Sequence, residues 1–220
     1  MSLTAISVPP QTGAAPQGLL VLLHGWGANA EDVAAIATVL NLSEYQLLFP
    51  NGPFAYPYAA TGRAWYNFPA DFTFTGRPNL SHHPELLASR QQLREWLQSL
   101  EGSTGVPLSR TVLGGFSQGG AMTLDVGLDL PLAGLVVLSG YLHAPPQTTQ
   151  TTLPKVLMAH GTQDLVVPIS AARQARESLL AMGVDLDYRE LPMGHEISLR
   201  IVELVQNFTE EIRLHPQETA

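Results

Sequence analysis

Short apolar runs, each followed by a stretch with helical periodicity, recur along this chain. Residues 19–23 contain no polar side chain, and Val33, Ile36 and Leu40 then fall on one helical face. Similar runs occur at residues 46–49, 111–113, 135–138 and 156–159. Strands that are apolar on both faces and alternate with helices are typical of a mostly parallel sheet covered by helices on both sides. We therefore predict a single α/β domain over residues 1–220, with its ligand site beyond the carboxyl ends of the strands.

Two segments are expected at the edges of this sheet. Residues 3–8 are predicted to add an antiparallel strand at one edge. Val184, Leu186 and Tyr188 alternate with charged residues, which is typical of an edge strand with one solvent-exposed face.

Pro84 is predicted to start a helix, because proline fits the first helical turn.

Charge and composition exclude several classes of function. The chain has 11 basic and 19 acidic residues, a net charge of −8 that disfavours nucleic acid and anionic membrane surfaces. It has no cysteine, which excludes disulfides, thiolate zinc sites and a thiol nucleophile. Residues 1–10 do not resemble a signal peptide, and prolines within residues 130–154 argue against a membrane span. We expect a cytoplasmic protein.

One motif points to nucleophilic catalysis. Residues 115–119 read Gly-Phe-Ser-Gln-Gly and lie between a predicted strand and a predicted helix. In a G-x-S-x-G turn the glycines avoid clashes at a sharp bend, and the bend exposes the serine hydroxyl above the sheet. Ser117 is therefore the candidate nucleophile.

A serine nucleophile of this type requires an acid and then a histidine, in that chain order. Asp164 follows the apolar run at residues 156–159 and a short turn, so it should lie at the same edge of the sheet as Ser117. Asp125 and Asp129 belong to the helix after the serine, and Asp185 and Asp187 to the predicted edge strand. We therefore choose Asp164 as the acid.

His195 is the candidate base. It lies in a loop between the predicted edge strand and the last helix, which places it at the same edge of the sheet as Ser117 and Asp164. His160 is the rival, but it precedes Asp164 and so stands in the wrong order. No metal site is predicted, because His82 and His83 have no partner at ligand spacing.

Two backbone N–H groups should hold the oxyanion of an acyl-transfer intermediate. One belongs to Gln118, the residue after the nucleophile, and we expect the other at Trp26, in the glycine-rich loop after the first central strand. An ordinary strand-to-helix turn is the alternative explanation for that loop.

An irregular segment from residue 53 to about residue 83 interrupts the regular alternation. Long loops in compact domains are usually functional, and this one concentrates aromatic residues, namely Phe54, Tyr56, Tyr58, Trp65, Tyr66, Phe68, Phe72 and Phe74. We predict a small aromatic lid loop in which Trp65, Tyr66 and Phe68 form an apolar wall against the substrate. Packing of the loop onto itself is the alternative for any one ring.

Four ordered motifs resemble the phospholipase/carboxylesterase family of α/β-hydrolases. They are Leu-His-Gly-Trp-Gly-Ala at 23–28, Gly-Phe-Ser-Gln-Gly-Gly at 115–120, His-Gly-Thr-Gln-Asp at 160–164 and Met-Gly-His-Glu-Ile at 193–197. The resemblance implies an α/β-hydrolase fold, a triad of Ser117, Asp164 and His195, and an oxyanion hole at Trp26 and Gln118. Asn67 stands where an acid is common in this family, a departure that bears on substrate preference.

These observations predict a serine hydrolase that cleaves carboxylic esters or thioesters of short to medium acyl chains through an acyl-enzyme, with no cofactor. Lysophospholipase and acyl-protein thioesterase activities are the alternatives within this class. A non-catalytic binding protein of the same fold is more remote, because no triad member is missing. A peptidase is disfavoured, because one small domain leaves little room for a gating domain. The expected partner is a small ester or acylated substrate, with a homodimer left open.

Overall fold

The computed structural model describes residues 3–70, 72–74 and 79–214, so residues 71 and 75–78 of the predicted lid segment lie outside the described chain. The strands are β1 (Ala5–Val8), β2 (Gly18–Leu23), β3 (Tyr45–Pro50), β4 (Phe54–Ala55), β5 (Arg63–Ala64), β6 (Thr111–Phe116), β7 (Gly134–Leu138), β8 (Lys155–Gly161) and β9 (Leu186–Leu191). Seven of them form one sheet in the order β1-β3-β2-β6-β7-β8-β9. The strand β1 runs antiparallel to β3, and the other pairings in this sheet are parallel.

The central strands are apolar on both faces because each face packs against its own layer of helices. In β2, Leu19 and Leu23 belong to one core cluster, whereas Leu20 and Leu22 belong to the other. Alternation with period two along a strand accounts for this division. The predicted mostly parallel sheet and both predicted edge strands are confirmed.

Helices cover both faces of the sheet, as predicted. They are α1 (Ala30–Ala34), which continues as a 3₁₀ turn, α2 (Pro84–Thr104), α3 (Gln118–Gly127), α4 (Ile169–Ala181) and α5 (Leu199–Leu214). Apolar residues of α1 and α5 pack on one face, and those of α2, α3 and α4 on the other. Pro84 begins α2, and Gly105 ends it in a left-handed conformation with φ 74°. Within the described chain no helix is long and apolar enough to cross a membrane.

The carboxyl ends of the parallel strands bring several loops to one edge of the sheet. Ser117 directly follows β6, Asp164 follows β8 and His195 follows β9. The lid segment is less irregular than predicted, because its described part contains an antiparallel hairpin in which β4 pairs with β5. We call this edge, with its loops, the carboxyl edge.

Candidate active site

Ser117 occupies a strained turn between β6 and α3. Its backbone has φ 56° and ψ −115°, a conformation that a non-glycine residue rarely adopts. A Cβ atom on Gly115 would overlap the carbonyl group of Gly119, and one on Gly119 would overlap the carbonyl oxygen of Leu23. Both positions therefore require glycine, which accounts for the two glycines of the G-x-S-x-G pattern.

The surrounding backbone holds this turn in place. The Ser117 N–H donates to the carbonyl oxygen of Leu138 at 2.8 Å. Helix α3 begins at the next residue, Gln118, so the positive end of its dipole lies beside the serine. Negative charge that develops at this point is therefore stabilised.

His195 and Asp164 form a hydrogen-bonded pair at the same edge. Nδ1 of His195 lies 2.7 Å from Oδ2 of Asp164, whose side chain has no exposed surface. A carboxylate only accepts, so Nδ1 carries the ring proton and Nε2 is left as the basic nitrogen. The imidazole packs on Phe116, the residue before Ser117, with 4.6 Å between the ring centroids. The three predicted side chains thus lie on neighbouring loops of the carboxyl edge.

His160, the rival base, is placed differently. Its side chain has no exposed surface, and its Nε2 lies 2.8 Å from the carbonyl oxygen of Val167. Burial lowers the pKa of His160. A substrate cannot reach this imidazole in the structure, whereas the side chain of His195 is 15% exposed.

The loop after β2 approaches the serine closely. A Cβ atom on Gly25 would lie 3.4 Å from Cβ of Ser117, which leaves room for the backbone but little for a larger side chain. The N–H groups of Trp26 and Gln118 donate to no protein acceptor among the described residues. Both N–H groups are therefore available to an oxyanion, and their role as an oxyanion hole stays a prediction.

His24 fixes this loop from inside the protein. Its Nδ1–H donates to the Gly25 carbonyl oxygen at 2.7 Å, and its Nε2 accepts from the Gly52 N–H at 2.9 Å. Complete burial lowers the pKa of His24 to about 4, so the ring stays neutral at neutral pH.

The Gln118 side chain joins the turn at Ser117 to the part of the lid segment that carries the aromatic residues, which we call the aromatic segment. Its Oε1 accepts from the Trp65 N–H at 2.9 Å, and its Nε2 donates to the Tyr66 carbonyl oxygen at 2.7 Å. Sequence reasoning missed these contacts and those of His24. The available signals were a histidine directly after the apolar strand β2 and a glutamine two residues after the end of β6.

The aromatic wall differs from the prediction. Trp65 and Tyr66 have no exposed surface, so neither ring faces the open cleft. The Trp65 indole N–H donates to the His24 carbonyl oxygen at 3.1 Å, and the Tyr66 hydroxyl lies 2.8 Å from Nε2 of His143. Each ring has its polar atom satisfied inside the core, and both support the site from behind.

Phe68 is the predicted wall residue that remains near the surface. It is half-buried and packs edge-on against Trp26, with 5.2 Å between the ring centroids. Asn67, next to it, accepts from the Trp26 indole N–H at 3.4 Å through Oδ1, and its own N–H donates to Glu85 at 2.7 Å. Asn67 and Phe68 therefore both contact Trp26, the candidate for the second oxyanion donor.

A cavity of about 550 Å³ lies apart from the three candidate catalytic residues. It opens between α2, α3 and residues 142–147, and the ion pairs Arg90–Asp125 and Arg94–Asp129 line it. None of the three candidate catalytic side chains lines this cavity. The residues that the structure describes hold no group of three or more side chains suited to a metal ion.

The fold and these loops define the protein class, an α/β-hydrolase. The family model described as phospholipase/carboxylesterase matches residues 7–213. The chain belongs to this family, and it is a hydrolase of ester bonds, so the predicted family, fold and enzyme class are confirmed.

Individual relatives agree with this assignment. Acyl-protein thioesterase 1 of Neurospora crassa is 30% identical to this chain over 86% of the chain and 81% of the relative. Lysophospholipase-like protein 1 of Mus musculus is 27% identical over 86% of the chain and 84% of the relative. The crystal structure of esterase PE8 is similar with a TM-score of 0.85 and 27% identity, covering 96% of this chain and all 100% of that one.

Proposed function

We propose that this protein hydrolyses carboxylic esters of short to medium acyl chains through an acyl-enzyme on Ser117. The observation that carries the proposal is the 2.7 Å contact between His195 and a fully buried Asp164, at the edge where Ser117 sits in its strained turn. Burial of an ionised carboxylate is costly unless it is paired, and the imidazole is its partner here.

In the first half-reaction, Oγ of Ser117 attacks the ester carbonyl carbon while Nε2 of His195 takes the hydroxyl proton. Asp164 stabilises the imidazolium that forms. The N–H groups of Trp26 and Gln118 receive the oxyanion, and collapse of the intermediate expels the alcohol, which takes its proton from His195.

Water then attacks the acyl-enzyme with His195 as base, and the carboxylic acid leaves Ser117 free. The chain's own groups handle each proton and each charge in these steps, so we predict that no cofactor is required.

The aromatic rings beside the site support the preference for shorter chains. Phe68 packs on Phe72 with 4.5 Å between the ring centroids, and Phe74 packs on Tyr141 with 4.9 Å. These rings occupy the space beside the first turn of α3, where Ala121 and Val167 also pack. Because the rings already fill this space, a long acyl chain can bury few of its methylene groups there. The binding free energy of about 0.8 kcal/mol per buried methylene is therefore gained only for the first few methylenes.

Thioester hydrolysis is the second candidate. The same nucleophile and oxyanion donors act on a thioester, and the similarity to acyl-protein thioesterase 1 of Neurospora crassa favours it. Lysophospholipase activity is the alternative that the name of the Mus musculus relative suggests.

A chain-length series tests both substrate proposals. We expect kcat/KM on 4-nitrophenyl esters to peak between acetate and hexanoate, with an acyl-thioester of the same chain length assayed beside them. Ser117→Ala should remove activity on all substrates by on the order of 10⁴-fold or more, with the fold intact by circular dichroism. Retained activity in that variant would reject the proposed mechanism, and rates that rise steadily to long-chain esters would reject the chain-length preference.

The remaining predictions concern the protein as a whole. We propose one domain over residues 1–220, a cytoplasmic location, a small ester or acylated substrate, and a homodimer as the alternative to a monomer. Cell fractionation and light scattering on the purified protein test the location and the oligomeric state.

A further inference from the structure

His160 lies near the end of β8 with no exposed surface, and the proposed reaction gives it no step. Its Nε2 lies 2.8 Å from the Val167 carbonyl oxygen and 3.4 Å from Oδ2 of Asp164. A carbonyl oxygen can only accept a hydrogen bond, so Nε2 carries the proton and donates it to Val167. The buried ring therefore faces both the acid and the chain segment that follows it.

Val167 is bonded to His160 and to the acid at the same time. Its carbonyl oxygen accepts from His160, while its N–H donates to Oδ1 of Asp164 at 2.9 Å. The Val166 N–H donates to the same Oδ1, also at 2.9 Å. With Oδ1 fixed by two donors, the carboxylate cannot rotate freely, and Oδ2 is directed at Nδ1 of His195.

The support for residues 164–167 comes from the strand β8, which lies inside the sheet. The strand β8 is hydrogen-bonded to β7 on one side and to β9 on the other, and His160 is opposite Glu190 in that register. Residues 164–167, which we call the acid turn, belong to a loop outside the sheet. The imidazole of His160 therefore ties the acid turn to the sheet.

His160 is not a second base or a cation. Its Nδ1 is buried and has no hydrogen-bond partner among the residues that the structure describes, so a proton there would have no acceptor. Burial lowers the pKa of His160 and outweighs the hydrogen bond to Val167 and the charge of Asp164, which raise it; the nearby His195 lowers the pKa further and Glu190 raises it. The ring thus acts as a neutral hydrogen-bond donor.

We propose that His160 is a positioning residue for the hydrolysis reaction: its Nε2–H anchors the acid turn and keeps Oδ2 of Asp164 directed at His195. The proposal rests on the proposed triad. Because Nε2 of His160 also lies 3.4 Å from Oδ2 of Asp164, loss of this donor should have two effects. Loss of the donor should misplace the acid and also leave more negative charge on Oδ2, which stabilises the imidazolium form of the base.

A matched pair of substitutions isolates the donor. The amide nitrogen of glutamine reaches near the Nε2 position of histidine, whereas that of asparagine reaches only near the Nδ1 position. Both His160→Gln and His160→Asn remove the titratable ring, but only glutamine can still donate to Val167. The difference between the two variants therefore measures the Nε2 donor.

We expect His160→Asn to lower kcat on 4-nitrophenyl acetate by about 10- to 100-fold with KM nearly unchanged, and His160→Gln to stay within about fivefold of the parent protein. The acidic limb of kcat/KM should move to higher pH by about 0.5 unit in the asparagine variant only. Leu97→Ala, a cavity in the buried face of α2, is the control for lost stability. It should leave the pH limb in place.

Equal kcat in the two His160 variants would overturn the proposal, whether both are active or both are impaired. In the Asp164→Asn background, His160→Asn should cost less than about twofold more, and a full additional loss would also overturn it. If His160→Asn does not fold, a loss of more than about fivefold in His160→Gln decides against the Nε2 donor. Failure of the triad itself is recognised separately, because Ser117→Ala would then retain activity.

Discussion

The acid turn and the aromatic segment both reach the carboxyl edge, but only the acid turn places its side chains where the sequence predicts them. In the acid turn, Asp164 makes the contact with His195 that chain order leads one to expect. In the aromatic segment, Trp65 and Tyr66 point into the core although their sequence setting resembles that of a lid.

The difference follows from the kind of interaction that each region needs. A buried carboxylate must be paired and hydrogen-bonded, so the chemistry of Asp164 limits where its partners stand. An aromatic ring gains from any apolar surroundings and carries little information about which side it faces. Polar site residues are therefore easier to assign from sequence than apolar pocket residues.

The largest effect is expected in the acid turn. Asp164→Asn should lower kcat on 4-nitrophenyl acetate by about 10³- to 10⁴-fold, because a neutral amide favours the wrong tautomer of His195. Asp187→Asn, on the exposed side of β9, is the control and should change kcat less than about twofold. Near-normal turnover in Asp164→Asn would mean that the 2.7 Å contact has no catalytic role.

In the aromatic segment, Trp65→Ala should act on stability first. It opens a cavity in the core and should lower the free energy of unfolding by about 3–5 kcal/mol, measured by urea denaturation. Because the Trp65 indole N–H donates to the His24 carbonyl oxygen and the ring stacks on His24, kcat/KM should fall by a similar factor for acetate and hexanoate esters. A selective loss on the longer ester would instead return this ring to the substrate wall.

Acid should weaken the support of the oxyanion loop. Burial lowers the pKa of His24 from 6.5 to about 4, so between these values the unfolded chain binds a proton that the folded protein does not. The free energy of unfolding should therefore fall as the pH drops through this window, by about 3 kcal/mol in total from this residue. Urea denaturation at pH 7 and pH 4 measures the loss.

His24→Gln is the matching control for this effect. The variant should be less stable than the parent at pH 7, because Gly52 and Gly25 lose part of their hydrogen bonding. It should also lose less stability on acidification, because the titrating ring is gone. The same pH slope in both proteins would assign the acid sensitivity to other groups.

The smallest effect is expected at Phe68, where the aromatic segment does reach the surface. Phe68→Ala should raise KM for a hexanoate ester about fivefold, or about 1 kcal/mol, with KM for acetate nearly unchanged. Tyr58→Ala removes a ring that is 77% exposed and should change neither value much. Equal effects on both esters would remove Phe68 from the acyl-binding surface.

The sequence by itself determined the alternation of strands and helices, both edge strands, and the placement of Ser117, Asp164 and His195 at one edge of the sheet. Periodicity of apolar residues and the shared direction of parallel strands are sufficient for this. Only the tertiary structure decided which rings face the cleft. It also revealed the contacts of His24 and Gln118, which join segments far apart in the chain, such as Trp65 and Gln118, 53 positions apart, and the contact of His160 with Val167, seven positions away. Such contacts depend on how the layers pack, which no local pattern specifies.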